Sequence, residues 1–442
     1  MYKQKVIKIA MNILVCSEAA WDDKNSFGNT VSNFFCGNVW SRDHFCNFYA
    51  RKALPDNKAT VSYYNLSAVD IVKGLMKFHV EGRSFATADA QTIATGEAVS
   101  AHQKEQGRID RIHQGNNDLI YWGHEQIWRS RIWLNTNFKQ FIAENKPDVL
   151  FAFATSSYIL LPIIQYLKKE TQCKIVLLIA DDVYGDYDQK KFYRKWYLKR
   201  EFEKCIQAAD KLYGISNEMS AMYSKRFGKP VETLYKGCDL SVEPKKYLNH
   251  PLRLVYAGNL LWGRDDTLAQ VADALERINQ DGLKATLEIY TGTTVTDTLK
   301  KKLNKGSSSQ IVGSRPYEEI KEVMHEADVV LHVESFEEKE IDTVRYSFST
   351  KIIDCLQSGS QVLGIGPGGI ASINYLKKVD GVVVVESKTR ISETISKIVN
   401  QGKLLANAKQ TRRYALQKHD LNAVQKRLRE EFEIITSIGC RE

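Results

Sequence analysis

The sequence predicts an α/β protein built from two doubly wound, Rossmann-like domains. Strand-like runs alternate with amphipathic helical stretches, the pattern of a parallel sheet covered by helices. The alternation occurs twice, and the two runs are separated by a polar stretch from Ser241 to His250 that contains Pro244 and ends at Pro251. A chain of 442 residues is also longer than one ordinary core organises. The expected division is residues 1–240 for the first domain, 241–251 for a linker, 252–410 for the second domain, and 411–442 for a last helix that packs back on the first.

In the first domain, Met11 to Ser17 reads as a strand. A polar loop leads to Phe27-Gly28-Asn29-Thr30 and an amphipathic stretch from Val31. This order of strand, glycine loop and helix resembles a phosphate-binding turn, but it holds one glycine and does not match G-x-G-x-x-G. Gly28 marks a tight turn or a close approach of backbone to a ligand. Ala59 to Leu66 is expected as the second strand, Ile71 to Phe78 as a helix, and the small, polar Ala86 to Gln106 run as a helix pair or an insertion. Ile127, Ile132, Trp133, Phe138, Phe141 and Ile142 fall at helical spacing and predict one helix from Ile127 to Glu144. Val149 to Ala154 and Lys174 to Ala180 are strands flanking a helix at Tyr158 to Lys168. Asp181 and Asp182 then lie at the C-terminal end of a buried parallel strand, where open α/β sheets bind ligands. Aspartates there also cap helices and form turns, and both readings stay open. Helix, strand, helix and strand follow at Phe192–Ala209, Lys211–Ile215, Ser216–Phe227 and Val231–Tyr235.

In the second domain, strands are expected at Leu252–Ala257, Ala285–Tyr290, Gln310–Val312, Val329–Val333, Gln361–Ile365 and Val382–Val385. Helices are expected at Asp265–Gln280, at Glu318–Ala327 with Ser314 as cap and Pro316 in the first turn, at Ile370–Lys377, and from Ile391 to near Ile435. The stretch Arg345 to Gly359 runs from a loop into a short helix. Ser349 or Thr350 supplies a side-chain cap, Ile352, Ile353 and Leu356 a buried face, and Gly359 the C-terminal stop. Lys351 and Asp354, three apart, share a face. A cation near helix-start amides suits a phosphate and a carboxylate one turn on suits a sugar hydroxyl pair. The same two residues also read as a surface ion pair.

Bulk properties narrow the class. A hydrophobic content of 43% is that of a globular protein. No apolar run approaches the ~20 residues that span a bilayer. The apolar part of the N-terminal stretch is too short and broken for a signal peptide, so a cytoplasmic protein is expected. The eight cysteines contain no Cys-x-x-Cys pair, which argues against zinc; Cys16, Cys173, Cys205 and Cys355 read as reduced core residues. The net charge of +9 is scattered in short clusters, most of them solvated faces. A nucleic-acid partner has no support beyond that charge. The Lys190 to Lys204 segment interleaves Phe192, Tyr193, Trp196, Tyr197 and Phe202 with cations. The aromatics are expected in the core, with an anionic membrane surface at the inner face of the membrane as the other reading.

Several segments resemble the GT-B glycosyltransferases, in particular the retaining glycosyltransferase family 4. Ala209-Asp-Lys-Leu-Tyr-Gly-Ile-Ser is similar to that family's "AD-x-x-x-x-x-S", and Leu234-Tyr-Lys-Gly-Cys-Asp239 to its "P-N-G-V-D" hinge, with Lys236 in place of Asn. Tyr256-Ala-Gly-Asn-Leu-Leu-Trp-Gly-Arg264 resembles "F-x-G-R-L-x-x-x-K", with Asn259 at the Arg and Arg264 at the Lys. Ala327-Asp328 to Ser335 is similar to "A-D-x-x-x-x-P-S". The Arg345 to Gly359 stretch resembles the E-x7-E region: Ser349-Thr-Lys351 falls on "P-S-K", Asp354 on the second acid, and Tyr346 where the first acid is expected. Glu334, Glu337, Glu338 and Glu340 lie upstream as candidate substitutes for that acid, though out of register.

The resemblance implies two Rossmann-like domains facing across a cleft, the first on the acceptor side and the second binding a nucleotide-sugar. It implies transfer of a sugar from a nucleoside-diphosphate sugar to an acceptor hydroxyl with retention, in surface-polysaccharide or glycoconjugate assembly, on a glycan or lipid-linked acceptor. No metal and no cofactor is expected. Arg264 and Lys351 are the expected catalytic cations at the diphosphate, and Asp182 polarises the reacting sugar or orients the acceptor. Gly28, Asn259, Arg264, Tyr346, Ser349, Lys351 and Asp354 are the expected donor-binding residues, with helix-start amides near Ser349 and Gly28 adding to the anion site. The alternatives are a nucleotide-sugar 2-epimerase of the same fold and a catalytically impaired nucleotide-sugar-binding subunit.

Overall fold

A computed structural model describes residues 10–57, 59, 61–87 and 118–437. The helix pair or insertion expected from Ala86 to Gln106 lies outside these residues apart from its first two. The chain divides into two compact units. One comprises Met1–Leu234 with Gln425–Glu442, the other Tyr235–Val424.

Unit 1 is built on an eight-stranded sheet. In chain order its elements are β1 (Asn12–Ser17), α1 (Ser26–Phe35), β2 (His44–Tyr49), β3 (Val61–Asn65), α2 (Ala68–Met76), β4 (Arg83–Ala86), α3 (Asp118–Arg129), α4 (Thr136–Asn145), β5 (Val149–Phe153), α5 (Ser157–Glu170), β6 (Lys174–Ile179), α6 (Val183–Asp186), α7 (Phe192–Ala208), β7 (Lys211–Gly214), α8 (Asn217–Phe227) and β8 (Glu232–Thr233). The strand order is β4-β3-β2-β1-β5-β6-β7-β8. All pairs are parallel except β3 with β4. The central strands β1, β5 and β6 are near-continuous apolar runs buried on both faces, as parallel strands require.

Three expectations need correction here. The strand at His44–Tyr49 went unrecognised, so Ala59–Leu66 holds the third strand and not the second. The predicted Ile127–Glu144 helix is two helices. Arg131 takes a left-handed φ of 61° between them, and the Asn135 side chain caps the second by accepting from the Phe138 amide at 2.9 Å. Trp133 keeps its helical spacing in the sequence but is buried from the turn. Gly28 lies within the first turn of α1 and not in a loop, because Asn25 caps a helix that starts at Ser26, five residues before the expected Val31.

Unit 2 has a six-stranded sheet, parallel throughout. Its elements are β9 (Leu252–Ala257), α9 (Arg264–Ile278), β10 (Ala285–Tyr290), α10 (Asp297–Leu303), β11 (Ser309–Gly313), α11 (Tyr317–Glu326), β12 (Val329–Val333), α12 (Glu338–Val344), α13 (Lys351–Gln357), β13 (Gln361–Ile365), α14 (Ala371–Leu376), β14 (Val383–Val385), α15 (Ile391–Gln401) and α16 (Leu404–Lys418). The order β11-β10-β9-β12-β13-β14 is that of a doubly wound nucleotide-binding sheet, with its reversal between β9 and β12. Leu254, Leu268, Leu287, Leu331, Leu363 and Ile395 belong to the core that seals one face. Helix α11 starts at Tyr317 behind Pro316, and Ser314 does not cap it. The helical stretch after Ile391 is three helices, α15, α16 and α17 (Leu421–Ser437).

Helix α17 begins in the second unit and ends in the first. Its unit 1 part inserts Phe432 among Phe35, Trp40 and Phe151, with ring centroids 5.9–6.4 Å away. Arg429 pairs with the buried Asp43 at 2.7 Å, and the Gln425 side chain donates to the carbonyls of Asn33 and Cys36.

Candidate functional site

The reversal of strand order in unit 2 places the loops after β9 and β12 side by side, and open α/β sheets bind ligands at such points. After β9 the chain runs Gly258-Asn259-Leu260-Leu261-Trp262-Gly263. It is pinned by Tyr256 Oη donating to the Asn259 carbonyl at 2.6 Å and by the Leu260 amide donating to Thr293 Oγ1 at 2.9 Å. Trp262 and Gly263 both take left-handed φ, 56° and 68°. A Cβ on Gly263 would stand 2.4 Å from Ser335 Oγ, so only glycine lets this loop lie against the loop after β12.

That turn delivers Arg264, the first residue of α9, into a buried position. Its Nε donates to Glu334 Oε2 at 3.1 Å and the Val333 carbonyl at 3.2 Å, its Nη2 to Glu334 Oε2 at 2.8 Å, and its Nη1 to Asn259 Oδ1 at 2.8 Å. The guanidinium carbon sits 5.1 Å from the Trp262 ring centroid. Glu334 is buried too, with His332 Nε2 at 3.2 Å from its other oxygen. Burial works against the Glu334 charge, but His332 and Arg264 outweigh it and hold the carboxyl below its ordinary value. Glu334 is thus the acid of this site that sequence reasoning named only as an out-of-register substitute for the first acid. Its signal was a carboxylate directly after a buried strand at the sheet's reversal point.

Lys351 opens α13, with its side chain open to solvent but low among neighbouring atoms. Those neighbours and then the Arg264 guanidinium push its ammonium below the ordinary lysine value, while Glu334 and Asp354 pull it back. Asp354, one turn on, accepts from Tyr317 Oη at 2.8 Å and from the Gln357 side chain at 3.4 Å. Burial raises its pKa against the pull of Lys236, Tyr317 and Lys351. Lys236 is itself buried, and its ammonium is pushed down by that burial and supported by Asp354. Tyr317 and Lys236 were not anticipated as neighbours of Asp354; they are brought in from β11–α11 and from the start of the unit, far apart in sequence.

Neither Ser349 nor Thr350 caps α13 with its side chain. The Ser349 carbonyl accepts from the Ile352 amide, and the Ser349 amide is spent on Ser372 Oγ at 3.1 Å. Phe348 turns inward onto Tyr235 and Tyr375, at 4.9 and 5.0 Å between centroids, and fixes the loop. Tyr346 is half-buried two residues before it. Glu337 is paired with Lys388 at 3.0 Å.

Unit 2 therefore brings together Asn259, Arg264, Lys351 and Asp354, with Tyr346 and Ser349 on the loop leading into α13. The other two expected residues belong to unit 1. The Gly28 amide donates to Asn25 Oδ1 at 2.8 Å, and a Cβ there would lie 2.1 Å from the Asp22 carbonyl oxygen. The close backbone approach at Gly28 is thus to its own preceding loop. Asp182 caps α6: its Oδ1 accepts from the Gly185 amide at 3.1 Å, from Tyr223 Oη at 2.8 Å and from Arg226 at 3.1 Å. Among the described residues no group of three or more His, Cys, Asp or Glu could hold a metal ion.

Solved structures resemble the chain over most of its length. An α,α-trehalose-phosphate synthase (UDP-forming) from Burkholderia xenovorans, in complex with glucose-6-phosphate, superposes with a TM-score of 0.59 at 9% identity, over 95% of this chain and 100% of that one. The α,α-trehalose 6-phosphate synthase from Burkholderia multivorans gives 0.58 at 11% identity, over 98% and 100%. The pneumococcal O-GlcNAc transferase GtfA, in complex with UDP and GlcNAc, gives 0.50 at 11%, over 68% of this chain and 60% of that one. No family model and no curated protein sequence matches the chain. The likeness establishes the fold: two doubly wound α/β units of the GT-B glycosyltransferase type.

Proposed function

We propose that the chain is a retaining glycosyltransferase, similar to family 4, that moves a sugar from a nucleoside-diphosphate sugar to an acceptor hydroxyl in polysaccharide or glycoconjugate assembly. The observation that carries this reading is the pairing of Arg264 with Lys351 where the strand order of unit 2 reverses, with Asp354 one helical turn beyond. A departing diphosphate needs fixed positive charge facing it. Arg264 presents a fork already oriented by Asn259, Val333 and Glu334, and its bonds leave one N–H on each terminal nitrogen for phosphate oxygens. Lys351 supplies a point charge beside it. Asp354, steadied by Tyr317, accepts from the ribose hydroxyls. Asp182 acts through Oδ2, the oxygen its cap and ion pair do not use.

Arg264→Ala would strip the buried Glu334 of its guanidinium partner, so the diagnostic variant is Lys351→Ala. UDP is the first nucleotide to try, since one similar structure is a complex with UDP and another is of a synthase described as UDP-forming. Wild-type protein should rise in melting temperature with UDP, or with GDP or TDP if the donor differs, and should hydrolyse the matching sugar donor slowly. Lys351→Ala should lose about 100-fold in turnover while its ligand-free melting temperature stays unchanged. Turnover at the wild-type rate would remove Lys351 from the diphosphate site. NMR of the products separates transfer from 2-epimerisation.

A further inference from the structure

The aromatics of the Lys190 to Lys204 segment divide into two sets, which corrects the expectation that they are core. Tyr197 and Phe202 are buried, whereas Phe192 is 85% and Trp196 65% exposed. These two are four residues apart on α7 and share one face. At 3.6 residues per turn, Lys195 and Lys199 fall on one flank of that face and Arg200 and Lys204 on the other. Lys190 and Lys191 stand exposed just before the first turn.

The orientation of α7 is fixed from behind. Arg194, buried on the opposite side, pairs with Asp118 and Glu125 of α3, and Glu201 takes Arg129 at 2.6 Å. Phe192 and Trp196 are therefore held outward by the core-side contacts of their own helix. Among nearby acids, Asp188 is paired with Lys195 and Lys199, and Glu203 accepts from Tyr184 Oη. Lys190, Lys191, Arg200 and Lys204 have no ion-pair partner among the described residues. Arg200 instead lies over the Trp196 ring at 5.3 Å.

We propose that this face of α7 docks unit 1 onto an anionic lipid bilayer. Phe192 and Trp196 enter the boundary between headgroups and acyl chains, and the flanking cations meet lipid phosphates. The charge pattern selects this occupant. Two exposed aromatics, with Arg200 and Lys204 unpaired on one flank and Lys190 and Lys191 ahead of the first turn, match a fluid, uniformly anionic surface with an apolar layer beneath it. No helix among the described residues is long and apolar enough to cross a membrane, so the contact is of the kind that lies on the surface.

The test is co-sedimentation of the full chain with vesicles of phosphatidylcholine alone and of phosphatidylcholine mixed with phosphatidylglycerol. The wild type should pellet with the mixed vesicles and be released by salt. The double variant Phe192→Ser with Trp196→Ser should lose roughly tenfold in partitioning. Lys190→Ala with Lys191→Ala and Arg200→Ala should lose the preference for phosphatidylglycerol. All positions are exposed, so melting temperature should hold. Absence of binding to mixed vesicles, or undiminished binding by the aromatic variant, overturns the proposal; the second outcome would mark simple electrostatic adhesion. The nucleotide-induced melting shift of these variants should match wild type, which separates failure here from failure of the donor-site reading.

Discussion

Lys351 carries a charge that its surroundings disfavour. The packing around it and the Arg264 guanidinium both work against its ammonium, and a bound diphosphate would reverse that balance. Because Lys351 in the free protein titrates below the ordinary lysine value, nucleotide affinity should fall as pH rises through that lowered range, with the charged form required for binding. Lys351→Arg, charged throughout, should bind with an affinity that stays flat over the same range; calorimetric titrations with UDP at rising pH check this. At this scale the sequence was readable where a motif held side chains on one helix face, as for Lys351 and Asp354. It was unreadable where a partner arrives from elsewhere. Glu334, Tyr317 and Lys236 reach these two residues through sheet topology, which local spacing does not encode.

At the scale of elements, α16 and the stretch after Tyr235 form a second buried polar system in unit 2. Arg412 donates to the carbonyls of Leu240 and Val242, and His419 sits between Tyr375 and the Lys236 carbonyl. Burial drives the His419 imidazole down to about 4. The unfolded chain takes up that proton near 6.5, the ordinary histidine value, so protonation favours unfolding between those limits. The stability contributed by neutral His419 is fully present above pH 6.5 and lost as pH falls toward 4, by about 3 kcal/mol at most. His419→Gln should flatten that slope, read as unfolding midpoints at pH 7 and pH 5. The turn at Gly359 closes the same region. Its φ is 76°, and a Cβ would stand 2.9 Å from the Glu243 carbonyl oxygen, so the glycine expected at the end of α13 is required on two counts. Helix ends marked by glycine were legible. The break at 130–135 was not, because Trp133 continues the apolar spacing through a turn. Strand β2 was missed because Phe45, Asn47 and Tyr49 do not alternate apolar with polar as a half-buried strand does; five of its six residues are buried.

At the scale of the whole molecule, the sequence announced two α/β halves, though not the anchor that receives the last helix. The Asp43 side chain is fully buried and is paired with Arg429 across more than three hundred residues of chain. Arg429→Ala should cost about 3–5 kcal/mol, because it leaves that carboxylate buried without its cation. Urea unfolding of the variant measures it, and the loss should fall on the transition of unit 1 alone.

The same return path bears on how the protein is made. Tyr235–Val424 is a continuous stretch, whereas the unit that starts first is finished only by residues from Gln425 onward. On the ribosome the earlier 234 residues must wait for roughly 190 more, some 10–40 s at ordinary elongation rates. During that interval the pocket for Phe432 and the Asp43 carboxylate stand open on the nascent chain. The second unit can fold before the first is complete, so the order of maturation runs against the order of synthesis.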